Sequence, residues 1–524
     1  RILRFTLPQD AEKSMKQGVA VDPDDPSLSV VMGNFYRRIN RTEDAAAAYK
    51  MAIAKAKDPE KKEDYQALLA NFHFEQRQVD AGRGLMEQVL KRNAKHPLAR
   101  LLKAKFLIRE KKNPDALAIL DELLESQPRW GEAYFQKALA HLAQGETELS
   151  LKAVTEALKY SPKVSEAHTL RAHLLFLKRD FDGAKKEAAL ALRLNPNNLG
   201  AAVIAGKAML GNKEADNALK LFQQMEKAMP DNDEIKYYKA LSLLALGKKT
   251  EAANLLTDIL GKKPDFVPVF VTLTAMDEQA GKIGDAIARA EKQVKLLPEN
   301  GIYQQLLGIL LTKDKQYEKA VTCFRKAEQL DPQNPKNYVQ LAFIFKKQGK
   351  LDDAIAEYQG LVKAKPDFVP AYMGLGTLLQ LMGKTAEAKE AFQQALTLDG
   401  TFAPAANNLA WLLAGEKQPD LGEALRLALI AKEKLPDDPN VADTLGWIHY
   451  KRESYDLALT QLSQAVEGQP DNSTVRYHMA LVLNALNKKE EARQELEKAL
   501  DKKSEFPERK QAQALLLSLQ KTKG

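Results

Sequence analysis

Residues 445–452 read LGWIHYKR, and 36 residues upstream the chain reads LAWLLAG. Trp447 follows a Leu-Gly pair and Trp411 a Leu-Ala pair, and the chain holds 3 Trp in all. Indole rings do not react; they bind, through a large apolar face and one N–H donor. Asn407, Asp443, Tyr450 and Tyr477 stand at helical spacing around them. Aromatic rings with a few hydrogen-bonding groups make a surface for a peptide or protein partner. The competing reading is that both rings only pad the contact between neighbouring helices.

Catalytic chemistry is not legible elsewhere. No glycine-rich phosphate loop and no HExxH occurs. His168 and His173 are five apart and fall on different sides of a helix, so they do not read as metal ligands. Cys323 precedes the apolar Phe324 and reads as packing. No Ser/His/Asp set can be assembled. The expectation is a non-enzyme without cofactor or metal. The Asn-x-Ser/Thr matches at Asn40 and Asn472 are of a kind common by chance.

The elements that carry these residues follow from composition and period. The 524 residues are 45% hydrophobic and 28% charged, enough to fold throughout. Lys+Arg number 78 against 70 Asp+Glu, interspersed, as on a solvated helical surface. No basic stripe with interleaved aromatics marks a nucleic-acid surface. The single cysteine excludes an intrachain disulfide and fits a reducing compartment, or an envelope protein that needs no crosslink. No apolar run reaches the roughly 20 residues of a membrane span.

Prolines recur at 128, 162, 196, 230, 264, 298, 332 and 366, each 34 after the last. Gly400 takes the next place, then Pro436 and Pro470. Within 335–368, PKNYVQLAFIFKKQGKLDDAIAEYQGLVKAKPDF, apolar residues at helical spacing (Tyr338, Leu341, Ala342, Phe345) stop at Gly349. A second helical pattern follows through Ala354, Tyr358 and Leu361. The unit is helix, turn, helix. Pro268, Pro370 and Pro404 fit first helical turns, and Gly145, Gly247, Gly281, Gly349 and Gly383 fit turns that need positive φ.

On these residues the chain resembles the tetratricopeptide repeat family. Segment 369–402 carries its pattern in Tyr372, Leu375, Gly376, Leu379, Ala388, Phe392 and Ala395. Segment 301–334 carries it in Leu307, Gly308, Leu311, Ala320, Phe324, Ala327 and Pro332. Segment 439–472 carries it in Leu445, Gly446, Ala458, Leu462, Ala465 and Pro470. The resemblance implies an all-α solenoid, a right-handed superhelix of about fourteen helix-turn-helix units plus a C-terminal capping helix. Repeats start at 26, 63, 97, 131, 165, 199, 233, 267, 301, 335, 369, 403, 439 and 473, with insertions expected near 58–64 and 414–422. The expected organisation is 1–25 as a partial repeat with its second helix only, 26–506 as the superhelix and 507–524 as the cap. A lone second helix at the start also predicts an upstream first helix in a longer parent chain.

The resemblance further implies that repeat positions 2, 5, 9 and 12 of each first helix line a concave groove. Trp411 and Trp447 occupy position 9. Phe135, Tyr237, Phe343 and Met373 fall on groove positions in the middle of the chain, with Val203, Val271 and Val339 beside them. That stretch is more apolar than a solvated groove needs to be. Asn34, Asn71, Arg37 and Arg38 make the N-terminal groove polar. The family's carboxylate clamp is not supported, because Val30 and Leu68 stand where a lysine and an asparagine are required.

The leading reading is a non-catalytic scaffold for a protein or peptide. The C-terminal block, through Asn408–Trp411, Asp443–Trp447 and Tyr477, His478 and Ala480, is similar to bacterial repeat proteins linked to exopolysaccharide and protein export, often lipoproteins (the PEP-CTERM-system type). That likeness implies a periplasmic or outer-membrane-associated setting, with a cytoplasmic one as the alternative. Two other readings stay open: a substrate-recruiting arm of a larger enzyme such as a glycosyltransferase, and a self-associating structural protein.

Overall fold

The computed structural model describes residues 8–501 and 506–521. These form thirty helices, with no strand among the described residues. The chain divides into two compact units at Lys263/Pro264.

In the first unit α1 (Pro8–Val21) precedes seven helical pairs. These are α2 (Pro26–Arg38) with α3 (Thr42–Lys55), α4 (Pro59–Glu75) with α5 (Val79–Arg92), α6 (Pro97–Arg109) with α7 (Asn113–Ser126), and α8 (Gly131–Ala143) with α9 (Thr147–Tyr160). Then come α10 (Ser165–Leu177) with α11 (Phe181–Leu194), α12 (Leu199–Gly211) with α13 (Ala215–Ala228), and α14 (Asp233–Ala245) with α15 (Lys249–Lys262). The second unit holds seven more: α16 (Val267–Gln279) with α17 (Ile283–Leu296), α18 (Gly301–Lys313) with α19 (Tyr317–Leu330), α20 (Pro335–Lys347) with α21 (Leu351–Ala364), and α22 (Val369–Leu381) with α23 (Thr385–Leu398). The last are α24 (Ala403–Ala414) with α25 (Leu421–Lys434), α26 (Pro439–Lys451) with α27 (Tyr455–Gly468), and α28 (Ser473–Ala485) with α29 (Lys489–Asp501), followed by α30 (Arg509–Lys521). Within each unit every pair packs on the next, which is the solenoid the period implies.

Residues 1–7 of the expected partial repeat and 522–524 of the expected cap lie outside the described residues, as does the Ala11 side chain.

The first helices begin where the sequence marks them. Asn198, Asn232, Asn300, Asn334, Asp438 and Asn472 each accept from a backbone N–H of the first turn. One start differs. The helix expected from 63 begins at Pro59, with Asp58 as its cap, so the insertion near 58–64 is an added helical turn, not a loop. The insertion near 414–422 is a loop: α24 ends at Ala414 and α25 starts at Leu421, where Asp420 caps it.

In every pair except α24 with α25, the turn is closed by a bond from the residue just past the left-handed position back into the helix. Glu146 N–H reaches the His141 carbonyl at 3.0 Å and Lys350 N–H the Phe345 carbonyl at 2.9 Å. The five glycines expected here have φ between 72° and 79°. Lys111, Arg179, Lys213, Lys315 and Glu453 hold the same left-handed place at φ of 59–62°. Glycine alone therefore does not mark the turn; the bond pattern enforces it on side chains that disfavour it.

The core follows a size rule between the two helices of a pair. Gly33 faces Tyr49, Gly206 faces Phe222, Gly308 faces Phe324 and Gly376 faces Phe392. Ala104, Ala138 and Ala240 stand at the glycine's place where Leu120, Val154 and Leu256 replace the ring. Gly446, which faces Leu462, departs from the rule, and so does Tyr358. Its pair carries Ala342, and its ring turns instead onto Gly374 of the next first helix, where a Cβ would lie 2.4 Å from Cε1.

Candidate functional site

Trp411, Trp447 and His478 sit on three successive first helices of the second unit, α24, α26 and α28. Leu409, Ala410, Leu445 and Gly446 are buried, as their spacing predicts, and the next residue along each helix turns out of the core. A Cβ at Gly446 would lie 2.6 Å from Leu462, so only glycine lets α26 sit this close to α27.

Trp411 and Trp447 are both half-buried, with ring centroids 6.5 Å apart. Trp447 stacks on His478 at 4.5 Å and on Tyr450 at 5.4 Å. Trp411 lies 5.8 Å from His478. The Lys451 ammonium sits 5.3 Å from the Trp447 ring, a cation–π distance. His478 is 1% exposed, and its Nδ1 meets the Asp443 carboxylate at 2.8 Å. The tryptophans thus do both things weighed from the sequence: one face pads the next first helix and the remainder stays open. Asn407, one turn before Trp411, has a buried Oδ1 with no hydrogen-bond partner among the described residues. A buried acceptor without a donor costs about 1–3 kcal/mol, and an incoming N–H would relieve it.

The other expected groove residues divide. Tyr477 is buried against Phe506 and belongs to the core beneath α30, because its helix is the last in the row and α30 covers it. Phe343 is 45% exposed, with the Lys347 ammonium 5.7 Å from its ring. Val271 and Val339 are exposed, whereas Met373 is half-buried against the core. In the first unit Phe135 and Tyr237 are half-buried and Val203 is buried. Phe135 packs on the cluster of Ala138 and Leu170, and Tyr237 lies 5.3 Å from Tyr238.

The polar N-terminal positions satisfy one another. Tyr49 O–H donates to Asn34 at 2.8 Å, Arg37 pairs with Glu75 at 3.3 Å, and Asn71 donates to Glu75 at 2.9 Å. Lys105 donates to Asn71 and pairs with Glu132 at 2.9 Å. Arg38 is exposed.

Two features escape sequence reasoning as site residues. His478 was legible only within a family likeness; its contact with Asp443 spans 35 residues. In the first unit a cleft of about 470 Å³ lies among α7, α8 and α9, lined by Leu117, Tyr134, Lys137, His141 and Leu149 among others. Its signal was Lys137, at a repeat position held by leucine in Leu307, Leu341 and Leu445. Two of the cleft's polar side chains are held locally, Lys137 by Asp121 at 2.5 Å and His141 by Glu146 at 2.6 Å.

Cys323 is half-buried, and burial pushes its thiol up to about 11, so little thiolate exists at neutral pH. His168 is buried, its ring nitrogens on the Glu187 carboxylate and the Pro162 carbonyl, and burial with Lys207 pushes His173 down. Among the described residues no three His, Cys, Asp or Glu side chains are placed to hold a metal, and no helix is long and apolar enough to cross a membrane.

Comparison with known proteins bears on the fold. Tetratricopeptide repeat models match residues 28–63, 73–142, 135–199, 209–276, 278–335, 311–378 and 369–402. A model of anaphase-promoting complex, cyclosome, subunit 3 matches 418–499. The chain is 24% identical over 221 residues to anaphase-promoting complex subunit 7 of Dictyostelium discoideum, covering 41% of this chain and 37% of that protein. It is 27% identical over 333 residues to the human protein O-mannosyl-transferase TMTC3, covering 62% of this chain and 34% of that protein. The chain therefore spans little more than a third of the length of either relative. A solved structure, the APC/C hetero-tetramer Cut9-Hcn1, aligns over 97% of this chain and 98% of that one at 17% identity with a TM-score of 0.39.

Proposed function

The chain belongs to the tetratricopeptide repeat family, and from that premise we propose that it is a non-catalytic scaffold that binds a protein segment on the first-helix face of its second unit. The observation that carries this reading is the row Trp411–Trp447–His478. It places three rings on three successive first helices, each in contact with the next, with two of them half open and an unpartnered acceptor beside them. Aromatic anchors seated between polar groups are what protein-binding hot spots are made of.

The test is to pan a random displayed-peptide library against the full chain and to compare the peptides' affinity for wild type and for Trp411→Ala/Trp447→Ala. A hot-spot pair predicts a loss of roughly 2 kcal/mol or more, about thirtyfold. Unchanged affinity together with an earlier melt would reduce the tryptophans to inter-helix packing.

A second reading, the recruiting arm of a larger enzyme, is favoured by the similarity to a mannosyl-transferase over 62% of this chain. Assay of the native full-length protein for glycosyl transfer, with and without this segment, separates it from the scaffold. The envelope setting suggested by the C-terminal block is a further proposal, resting on Asn408–Trp411, Asp443–Trp447, Tyr477, His478 and Ala480 alone. The relatives named above are eukaryotic or of unstated source, and fractionation of the source cell tests it. Self-association is tested by sedimentation over a range of concentrations.

A further inference from the structure

Between α18 and α27 the two helical rows of the second unit differ in charge; α16, ahead of them, carries Asp277 and Glu278, which pair with Arg289 and Lys313. The first helices α18, α20, α22, α24 and α26 together hold one carboxylate, Asp443, and five lysines: Lys313, Lys336, Lys346, Lys347 and Lys451. The second helices α19, α21, α23, α25 and α27 hold eleven carboxylates among their own lysines and arginines. Asp443 is occupied by His478. Lys313 is offset by Glu278 at 2.6 Å. Lys336, Lys346, Lys347 and Lys451 form no ion pair with any described residue, and the first three are exposed.

The same face carries exposed bulky apolar groups. Ile302, Val339, Phe343 and Leu381 stand on α18, α20 and α22, with Leu381 59% exposed. The Gln305 amide donates to Asn337 at 2.7 Å and ties α18 to α20. Two of the lysines cap aromatic rings one helical turn earlier: Lys347 over Phe343, and Lys451 over Trp447, at the same places in their repeats. A lysine lying along a ring covers it only loosely and brings its charge to the edge of the apolar patch.

From this segregation we infer that the occupant of the first-helix face is an acidic segment of a partner protein, with carboxylates interspersed among bulky apolar side chains. The apolar residues seat between Phe343, Leu381 and the tryptophans, and the carboxylates meet the unpaired lysines. A basic segment would set like charges together with no free carboxylate on the first helices from α18 to α26 to meet them, since Asp443 is already used. This inference rests on the scaffold reading above and names its partner class.

The probe is a fluorescein-labelled synthetic peptide in which Phe and Leu alternate with Glu and Asp, followed by anisotropy with the full chain. Two counterparts have every acid replaced by Lys, or every Phe and Leu by Ser. Wild type is expected to bind the acidic–apolar peptide only, more weakly as salt rises. The variant Lys336→Gln/Lys346→Gln/Lys347→Gln is expected to lose about tenfold or more in affinity and much of the salt dependence. Phe343→Ser is expected to lose a similar factor with its salt dependence intact. All four side chains are exposed, so the fold survives, and circular dichroism checks it. Equal binding of the acidic and lysine peptides, no binding of the acidic one, or an unmoved triple variant overturns the inference. In those cases the scaffold reading still stands if library peptides of other composition bind and need Trp411 and Trp447. An empty library selection removes both.

Discussion

Gly206→Ala tests the size rule of the core. Gly206 lies in α12, where alanine has the better helix propensity by about 1 kcal/mol, so a purely local argument predicts stabilisation. The packing predicts the reverse. A Cβ there would lie 2.1 Å from Phe222 Cζ and 2.3 Å from Cε2. Phe222 is fully buried and its ring stacks on Tyr238 at 5.6 Å, so it has no room to withdraw. Overpacking at such a site costs up to about 3 kcal/mol, leaving a net loss near 2 kcal/mol. The chain also supplies the compensation. Ala104 with Leu120 and Ala240 with Leu256 are its own solutions at the same two places. Gly206→Ala/Phe222→Leu should therefore return to within about 1 kcal/mol of wild type. Long repeat arrays unfold in parts, so the readout is hydrogen-exchange protection of the α12 and α13 amides. Protection that rises in the single variant, or a double variant worse than the single, would refute the reasoning.

Three further outcomes follow from the same geometry. Replacing Lys111, Lys213 or Lys315 by Gly relieves a left-handed backbone and should stabilise each pair by roughly 0.5–1 kcal/mol, read as a higher melting temperature; Gly281→Ala should do the opposite. Burial pushes the Glu187 carboxyl up, but hydrogen bonds from Arg171 and His168 outweigh it and hold it below the ordinary glutamate range. Its ionised form therefore stabilises the fold above about pH 4.5, and the melting difference between wild type and Glu187→Gln should shrink as pH falls further. Cys323, with its thiol pushed up to about 11, should resist iodoacetamide at pH 8 in the native chain and react once the chain is unfolded.

Much of this protein was legible because its information is local and repeated. A proline or glycine every 34 residues, a capping Asn or Asp, and apolar positions at helical spacing each act within a few residues, and recurrence raised their signal. Thirteen of fourteen first helices start where the sequence placed them; α4 starts a turn early because Asp58-Pro59 caps better than anything at 63. The left-handed lysines were not legible, since a turn bond, not the residue type, imposes that conformation.

What only the tertiary structure decided is which side of each helix meets a neighbour, and how. The sequence could put Trp411 and Trp447 just outside the core. It could not say that Trp447 would stack on a histidine from the following repeat, or that Tyr477 would be buried by α30 while Phe343 stays open. Nor could it show that Tyr358 abandons its own partner helix for Gly374. Those outcomes depend on the distance and offset between successive helical pairs. That offset is set by the summed fit of all the side chains between them, and no single stretch of sequence contains it.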